Sequence, residues 1–514
     1  MTADPPGLVY GVDVTRFRDS DGDGIGDLRG LIDRLDHLAE LGVSWLWLLP
    51  IYPSARRDNG YDVDDHQAID PRLGTFAEFD ELVRGCHARG IRVLMDLVVH
   101  HTSDRHPWFL AAREDRGSRL GRFYVWADEP VQDPDDRNVF PGEEDGVWHW
   151  DEKAHAYYHH QFYAFQPDLN FANPDVVEAV TGIARFWRER GVDGFRIDAA
   201  VPAVRGKTVP GTQADAVEVY RRLRAGLGDD VFLVAEADVP PAEVGPLLGP
   251  DRMDAILDFT LNNHLFLAFA RGEAAPLREA LASLDAHVPP VARVNFVRNV
   301  DELDLEQLDD DERREVFDAF APDERMLLYG RGLRRGWAPL LAPRPRYRMS
   351  LSLLMALPGL PLLMQGQELG VGDDLGAPDR SACRPVMQWA DAPGAGFSDD
   401  PHSPLILPAQ LDGPFDVAHV NAAEQAADPD SNLALARRLA RLRAERCGDV
   451  LAARAWAVPG APGVVALGAG GTTTLHNLSD VPQQVPEAAG RMLLGEGWDG
   501  GTLAPYGFAW LAAE

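Results

Sequence analysis

Four carboxylates stand at the ends of short apolar segments: Asp96 in DLVVHH, Asp198 at the end of GFRID, Glu236 in AEA and Asp301 in RNVDE. One acid at a strand end is an ordinary cap or ion-pair partner. Several on one rim repel each other, which a purely structural role explains poorly. Glycoside hydrolysis explains them better. It needs one carboxylate to attack or stabilise the anomeric carbon and one protonated carboxyl to deliver a proton to the leaving oxygen. Arg196 lies two residues before Asp198 on the same segment, so both side chains face the same side. That guanidinium is expected to keep Asp198 ionised, as a nucleophile requires. Glu236 sits in the apolar run VFLVAEA, where desolvation can hold a carboxyl protonated near neutral pH.

Eight segments read as the strands that would position these groups: Val9–Phe17, Ser44–Pro50, Ile91–Val99, Asp193–Ala199, Val231–Ala237, Ala255–Leu261, Val294–Asn299 and Pro361–Gly366. Their apolar runs are continuous rather than alternating, the pattern of strands buried on both faces. Helical patterns lie between them, at Gly30–Leu41, Thr75–Arg89 and Pro174–Arg190. The expected fold class is therefore α/β, a (β/α)₈ TIM barrel with catalytic groups at the carboxyl ends of its strands. Residues 102–174 interrupt the pattern after the third strand, too long for a structureless loop, and read as an inserted subdomain. The barrel is then assigned to 1–101 and 175–447, closed by the amphipathic helix Asn432–Cys447. A Pro-, Gly- and Asp-rich stretch, Gly370–Ser431, reads as a long loop over its mouth. Short β-like runs over 448–514 read as a C-terminal antiparallel β domain, expected as a β-sandwich.

The segments GVDGFRIDAA, LVAEA, FVRNVDE and DLVVHHTS resemble the signature regions of the α-amylase superfamily, glycoside hydrolase family 13. NGYDVDDH (59–66), QPDLN (166–170), GLPLLMQGQELG (359–370) and RPVMQW (384–389) extend the resemblance along nearly the whole chain, in order. Within the superfamily these segments are most similar to the oligo-1,6-glucosidase and trehalose synthase branch. The resemblance implies Asp198 as nucleophile, Glu236 as general acid and then base, and Asp301 as the group that binds the distorted sugar. It implies Arg196 as the orienter of Asp198, and substrate contacts from Tyr61, Asp62, His101 and Arg298. The implied substrate is a small α-glucoside, processed by a retaining hydrolase or transglucosidase. A maltose–trehalose isomerase is the alternative, and a non-catalytic sugar-binding relative the third reading. Two residues depart from the family pattern. Val300 replaces the histidine usual before the third acid, and His100 replaces an asparagine. Met364-Gln365 also stands where an aromatic-containing stretch is typical.

The loop DSDGDGIGD places oxygen ligands at alternate positions, like the start of an EF-hand, but Gly30 occupies position twelve. A structural Ca²⁺ held by Asp19, Asp21, Asp23, the Ile25 carbonyl and Asp27 is expected, and no organic cofactor. Acidic residues outnumber basic ones 81 to 49, giving a net charge of −32 that repels nucleic acid and anionic lipid. No apolar run is long enough to span a membrane, and the first ten residues lack the pattern of a secretory signal. Three cysteines with no metal or redox spacing point to free thiols and a cytoplasmic location.

Overall fold

The computed structural model describes residues 7–131, 138–204, 209–400, 402–486 and 490–513. Eight of the apolar runs close into a parallel barrel. Its strands are β1 (Leu8–Val12), β2 (Val43–Leu48), β3 (Arg92–Leu97), β4 (Gly194–Ile197), β5 (Phe232–Ala235), β6 (Ala255–Leu257), β7 (Arg293–Asn295) and β8 (Leu360–Met364). Around the ring they run β1-β8-β7-β6-β5-β4-β3-β2, so neighbours in sequence are neighbours in space. Side chains on the barrel's inner face, among them Trp47, Leu94, Val234, Leu257, Val294 and Leu362, form one buried cluster. A larger apolar layer includes Leu46, Val93, Phe195 and Leu233, which alternate with the inner set.

The strands end earlier than their apolar runs, and at two of them a carboxylate captures a following backbone N–H. Asp13 accepts from the Thr15 N–H and converts Val14–Arg16 to a 3₁₀ turn, where a strand to Phe17 is expected. Asp258 caps the helix Phe259–Arg271, so β6 has three residues instead of running to Leu261. The helix expected over Gly30–Leu41 is two, Leu28–Ile32 and Leu35–Leu41. Helices Phe76–Ala88 and Pro174–Arg188 begin on Thr75 and Asn173, both of which accept a helix N–H.

The chain leaves the barrel after β3 and builds the helix Pro107–Ala112 and a three-stranded sheet of Trp126–Ala127, Ala156–His159 and Trp148–Asp151. Its two ends meet again. The Thr102 N–H donates to the Pro167 carbonyl (3.2 Å) and the Leu169 N–H to the His100 carbonyl (2.9 Å). A second small sheet, of Leu303–Asp304, Gly332–Leu333 and Leu327–Leu328, follows β7 and has no counterpart in the expected elements.

Past the helix Asn432–Glu445 the C-terminal strands are β9 (Arg454–Ala457), β10 (Val464–Ala469), β11 (Thr472–Asn477), β12 (Gln483–Gln484), β13 (Arg491–Trp498) and β14 (Thr502–Ala512). They form a hydrogen-bonded six-stranded antiparallel sheet in which the long β14 pairs with β11, β12 and β13, and its side chains enclose a core of their own that includes Val464, Leu475, Leu503 and Leu511. The sheet packs on the helix Arg344–Ala356. There the buried Ser352 hydroxyl accepts from Trp510 Nε1 (2.9 Å) and meets His476 Nε2 (3.0 Å), and Arg348 Nε pairs with Glu496 (2.8 Å). No helix among the described residues is long and apolar enough to cross a membrane.

Candidate active site

Strand register brings the expected groups together at the carboxyl end of the barrel. Arg196 on β4 lies opposite Asp96 on β3 and Val234 on β5. One residue past each strand, Asp198 and Glu236 are fixed by backbone bonds: the Asp198 N–H to the Leu97 carbonyl (3.2 Å) and the Glu236 N–H to the Ile197 carbonyl (3.0 Å). Ala199 turns the chain into a left-handed conformation (φ 45°), and its N–H donates to Glu236 Oε2 at 2.9 Å.

Arg196 is the hub. Its Nη1 donates to Asp96 Oδ1 (2.7 Å) and Asp198 Oδ1 (2.6 Å), and its Nη2 pairs with Glu236 Oε1 at 2.5 Å. A single guanidinium thus serves three carboxylates. Burial pushes the Asp198 and Glu236 carboxyls up to about 7 each, against the pull of Arg196, and Asp96 up to about 6. Burial thus opposes Arg196 at Asp198, and it raises Glu236 toward the protonated form that a proton donor needs.

Asp301 has its own clamp. Arg380 Nη1 (3.0 Å) and Arg384 Nη2 (2.9 Å) both reach its Oδ1. Burial would raise its carboxyl, but Arg380 and Arg384, with Arg196 and Arg298, outweigh that and hold it below its ordinary value. Asp301 is therefore the carboxylate that stays charged. Arg380 also pairs with Glu302 (2.6 Å) and lies over the rings of Phe140 and Tyr329. Neither arginine is assigned a role by sequence reasoning. RPVMQW contains Arg384, but its contact with Asp301 spans 83 positions of the chain.

The remaining expected contacts surround this centre. The Tyr61 hydroxyl donates to Asp96 Oδ2 (3.0 Å) and its ring lies beside Arg196. His101 Nε2 meets the Tyr61 carbonyl (3.0 Å), and Phe162 of the insert packs edge-on against His100 and His101. His100 sits in a buried network with His101 (3.2 Å) and Asp168 (3.4 Å). Asp62 is fully buried and accepts from Ser54 Oγ (2.7 Å) and the backbone N–H groups of Arg57 and Asp58. Arg298 is only 2% exposed and donates to the carbonyls of Asp301 (2.7 Å) and Arg335 (2.9 Å), so it braces the loop that carries Asp301.

In the acidic loop, carboxylate oxygens of Asp19, Asp21 and Asp27 lie within 4.8 Å of one another. Asp23 is outside that group and is exposed, its Oδ1 accepting from the Ile25 N–H (2.8 Å).

The chain matches the profile of the α-amylase catalytic domain over residues 12–280. It is 38% identical to a trehalose synthase/amylase of Mycolicibacterium smegmatis over 452 residues, 85% of this chain and 75% of that one. It is 32% identical to a probable α-glucosidase of Rhizobium meliloti over 462 residues, 80% of each chain. The α-amylase structure from H. orenii superimposes with a TM-score of 0.79 at 28% identity, covering 99% of this chain and 100% of the other.

Proposed function

The chain belongs to the α-amylase family, and from that premise we propose that it processes short α-glucosides with retention of configuration, through a covalent glucosyl–Asp198 intermediate. The observation that carries the reading is the Arg196 fork, which holds Asp198 and Glu236 to one guanidinium. That short bridge favours the roughly 5–5.5 Å carboxyl spacing of retaining enzymes over the wider spacing that admits a water between them.

In the first step the Asp198 carboxylate bonds to the anomeric carbon while the Glu236 carboxyl gives its proton to the departing oxygen. In the second, Glu236 takes a proton from an incoming hydroxyl, whose oxygen displaces Asp198 and restores its carboxylate. Asp301, kept charged by Arg380 and Arg384, binds the ring hydroxyls and stabilises the cationic transition state. Tyr61, Asp62 and His101 complete the glycone pocket. Mass spectrometry after reaction with a 5-fluoro-α-glucoside tests the covalent step. A 5-fluoroglucosyl mass on the peptide containing Asp198 is expected, and a label on another residue or none overturns it.

A second reading, a maltose–trehalose isomerase, is favoured by the trehalose synthase/amylase relative. The two differ in the second step: the incoming hydroxyl belongs to water in one and to the retained glucose in the other. Product analysis from maltose separates them, since trehalose identifies the isomerase and glucose alone the hydrolase.

We also assign a structural Ca²⁺ to the Asp19–Asp27 loop. The convergence of Asp19, Asp21 and Asp27 supports it, as does Asp21, whose carboxyl is pushed up by burial first and by repulsion from Asp23, Asp27 and Asp19. Carboxylates crowded in this way suit a hard, oxygen-seeking cation, which would supply charge balance to the loop rather than chemistry. Asp23 and the Ile25 carbonyl are the weaker members of the expected set. Three unpaired cysteines support a reducing, cytoplasmic setting.

A further inference from the structure

Beside the catalytic centre, between the ends of β1, β7 and β8, lies a cavity of about 50 Å³ that none of the three catalytic carboxylates lines. Val300, Met364 and Gln365, the positions where the sequence departs from the family pattern on this side, all stand in its wall. So do three guanidinium groups, Arg16, Arg298 and Arg384, and a single carboxylate, Asp13.

The charges in that wall do not balance. Asp13 already faces Arg16 (3.4 Å) and Arg56 (3.8 Å). Arg384 shares Asp301 with Arg380, and Arg380 also takes Glu302. Arg298 has no carboxylate of its own among the described residues. Its donors reach the carbonyls of Asp301 and Arg335 and the Cys383 sulfur (3.6 Å), and its Nη1 has no partner. Arg384 Nη1 is likewise unpartnered. A buried guanidinium without a counter-charge is costly, and three cations around one void raise that cost. The Arg16 guanidinium registers the crowding: burial first, then Arg384 and Arg56 against the help of Asp13, bring it down to about 10.

We propose that this cavity is a binding site for one small monovalent anion, of halide or formate size, which neutralises the Arg16–Arg298–Arg384 wall. The volume accommodates a bare halide or a formate, and burial against guanidinium groups favours a weakly hydrated monovalent ion over doubly charged sulfate, whose desolvation costs more. Guanidinium N–H groups are the matching donors. Because Arg298 and Arg384 also hold Asp301, occupancy would stiffen the loop that carries it.

The test is thermal unfolding of the full chain in sodium bromide, chloride or formate, against sodium sulfate at equal ionic strength. A saturable rise of roughly 2 °C or more with bromide or chloride, and none with sulfate, is expected. A rise with formate alone would identify a carboxylate rather than a halide as the anion. A bromide-soaked crystal should show anomalous density in the cavity of the unmodified protein. R298M, which removes the uncompensated charge, and V300F, which fills the void, should each lose the response, and either one suffices if the other fails to fold. Equal shifts in all salts, or a cavity holding water with no anomalous signal, overturn the proposal.

Discussion

At the residue scale the site is an exercise in dividing too little positive charge among too many acids. Arg196 serves three carboxylates, whereas Asp301 draws on two arginines, one of them shared with Glu302. D198N should lower turnover by about three orders of magnitude or more while the chain stays folded, measured by initial rates and circular dichroism. Stability should move the other way. Asp198 and Glu236 have unfolded-state values near 3.8 and 4.5, and burial raises both to about 7 in the folded chain. A raised carboxyl contributes its stability fully below the unfolded value and loses it as pH climbs through the folded one. E236Q, permanently neutral, should therefore be more stable than the parent at pH 8, on the order of 1–2 kcal/mol, and indistinguishable near pH 4. Denaturant titrations at the two pH values check this, and an E236Q chain less stable at pH 8 refutes it. Asp96, Asp198, Glu236 and Arg196 were readable from their motifs because each sits at or just past a strand end, where register fixes direction. The Asp301 clamp was not, because Arg380 and Arg384 reach it from an irregular segment with no periodicity to extrapolate.

At the scale of elements, continuous apolar runs identified all eight barrel strands, while among the helices between them helical periodicity marked only those near the first, third and fourth strands. What they could not mark was where each strand stops. Asp13 and Asp258 end β1 and β6 by capturing N–H groups that a longer strand would have paired. Two-residue strands such as Leu303–Asp304 are too short to carry any alternation, so the sheet after β7 left no trace in the sequence. The Asp19–Asp27 loop makes its own prediction. Asp19 also accepts from Ser398 Oγ (2.5 Å), so the loop ties the first βα connection to the long segment after β8. Chelation with EDTA should lower the unfolding midpoint by a few degrees, restored by Ca²⁺, with D21A insensitive to both. A midpoint unmoved by chelator, with no calcium in elemental analysis, would remove the metal.

Considered as a whole molecule, the barrel and the C-terminal sheet are one folding problem. The helix Arg344–Ala356 is buried from Tyr347 to Ala356, and part of that cover is the sheet. Among the described residues, its Ser352 hydroxyl meets Trp510 and His476 of the sheet, and its Arg348 Nε bonds Glu496 of the sheet. Truncation after Ala453 would leave those groups unpaired and the apolar face of the helix exposed. The shortened chain should be insoluble or lose its single cooperative transition, which expression tests and calorimetry would show. A soluble truncated barrel with the parent's midpoint would mean that the two parts are independent.

The insert after β3 departs and returns through neighbouring backbone, Thr102 to Pro167 and His100 to Leu169. Closing such a detour costs entropy that grows only slowly with its length, so inserts of very different size fit the same scaffold. It behaves as a cassette plugged into a fixed socket. Its aromatic side chains, Phe140 and Phe162 among them, reach over the centre and touch Arg380, His100 and His101. Exchanging that cassette between homologues, with the cut made at the socket, is the route by which aglycone preference could be rewritten while the barrel's acid–base apparatus is left untouched.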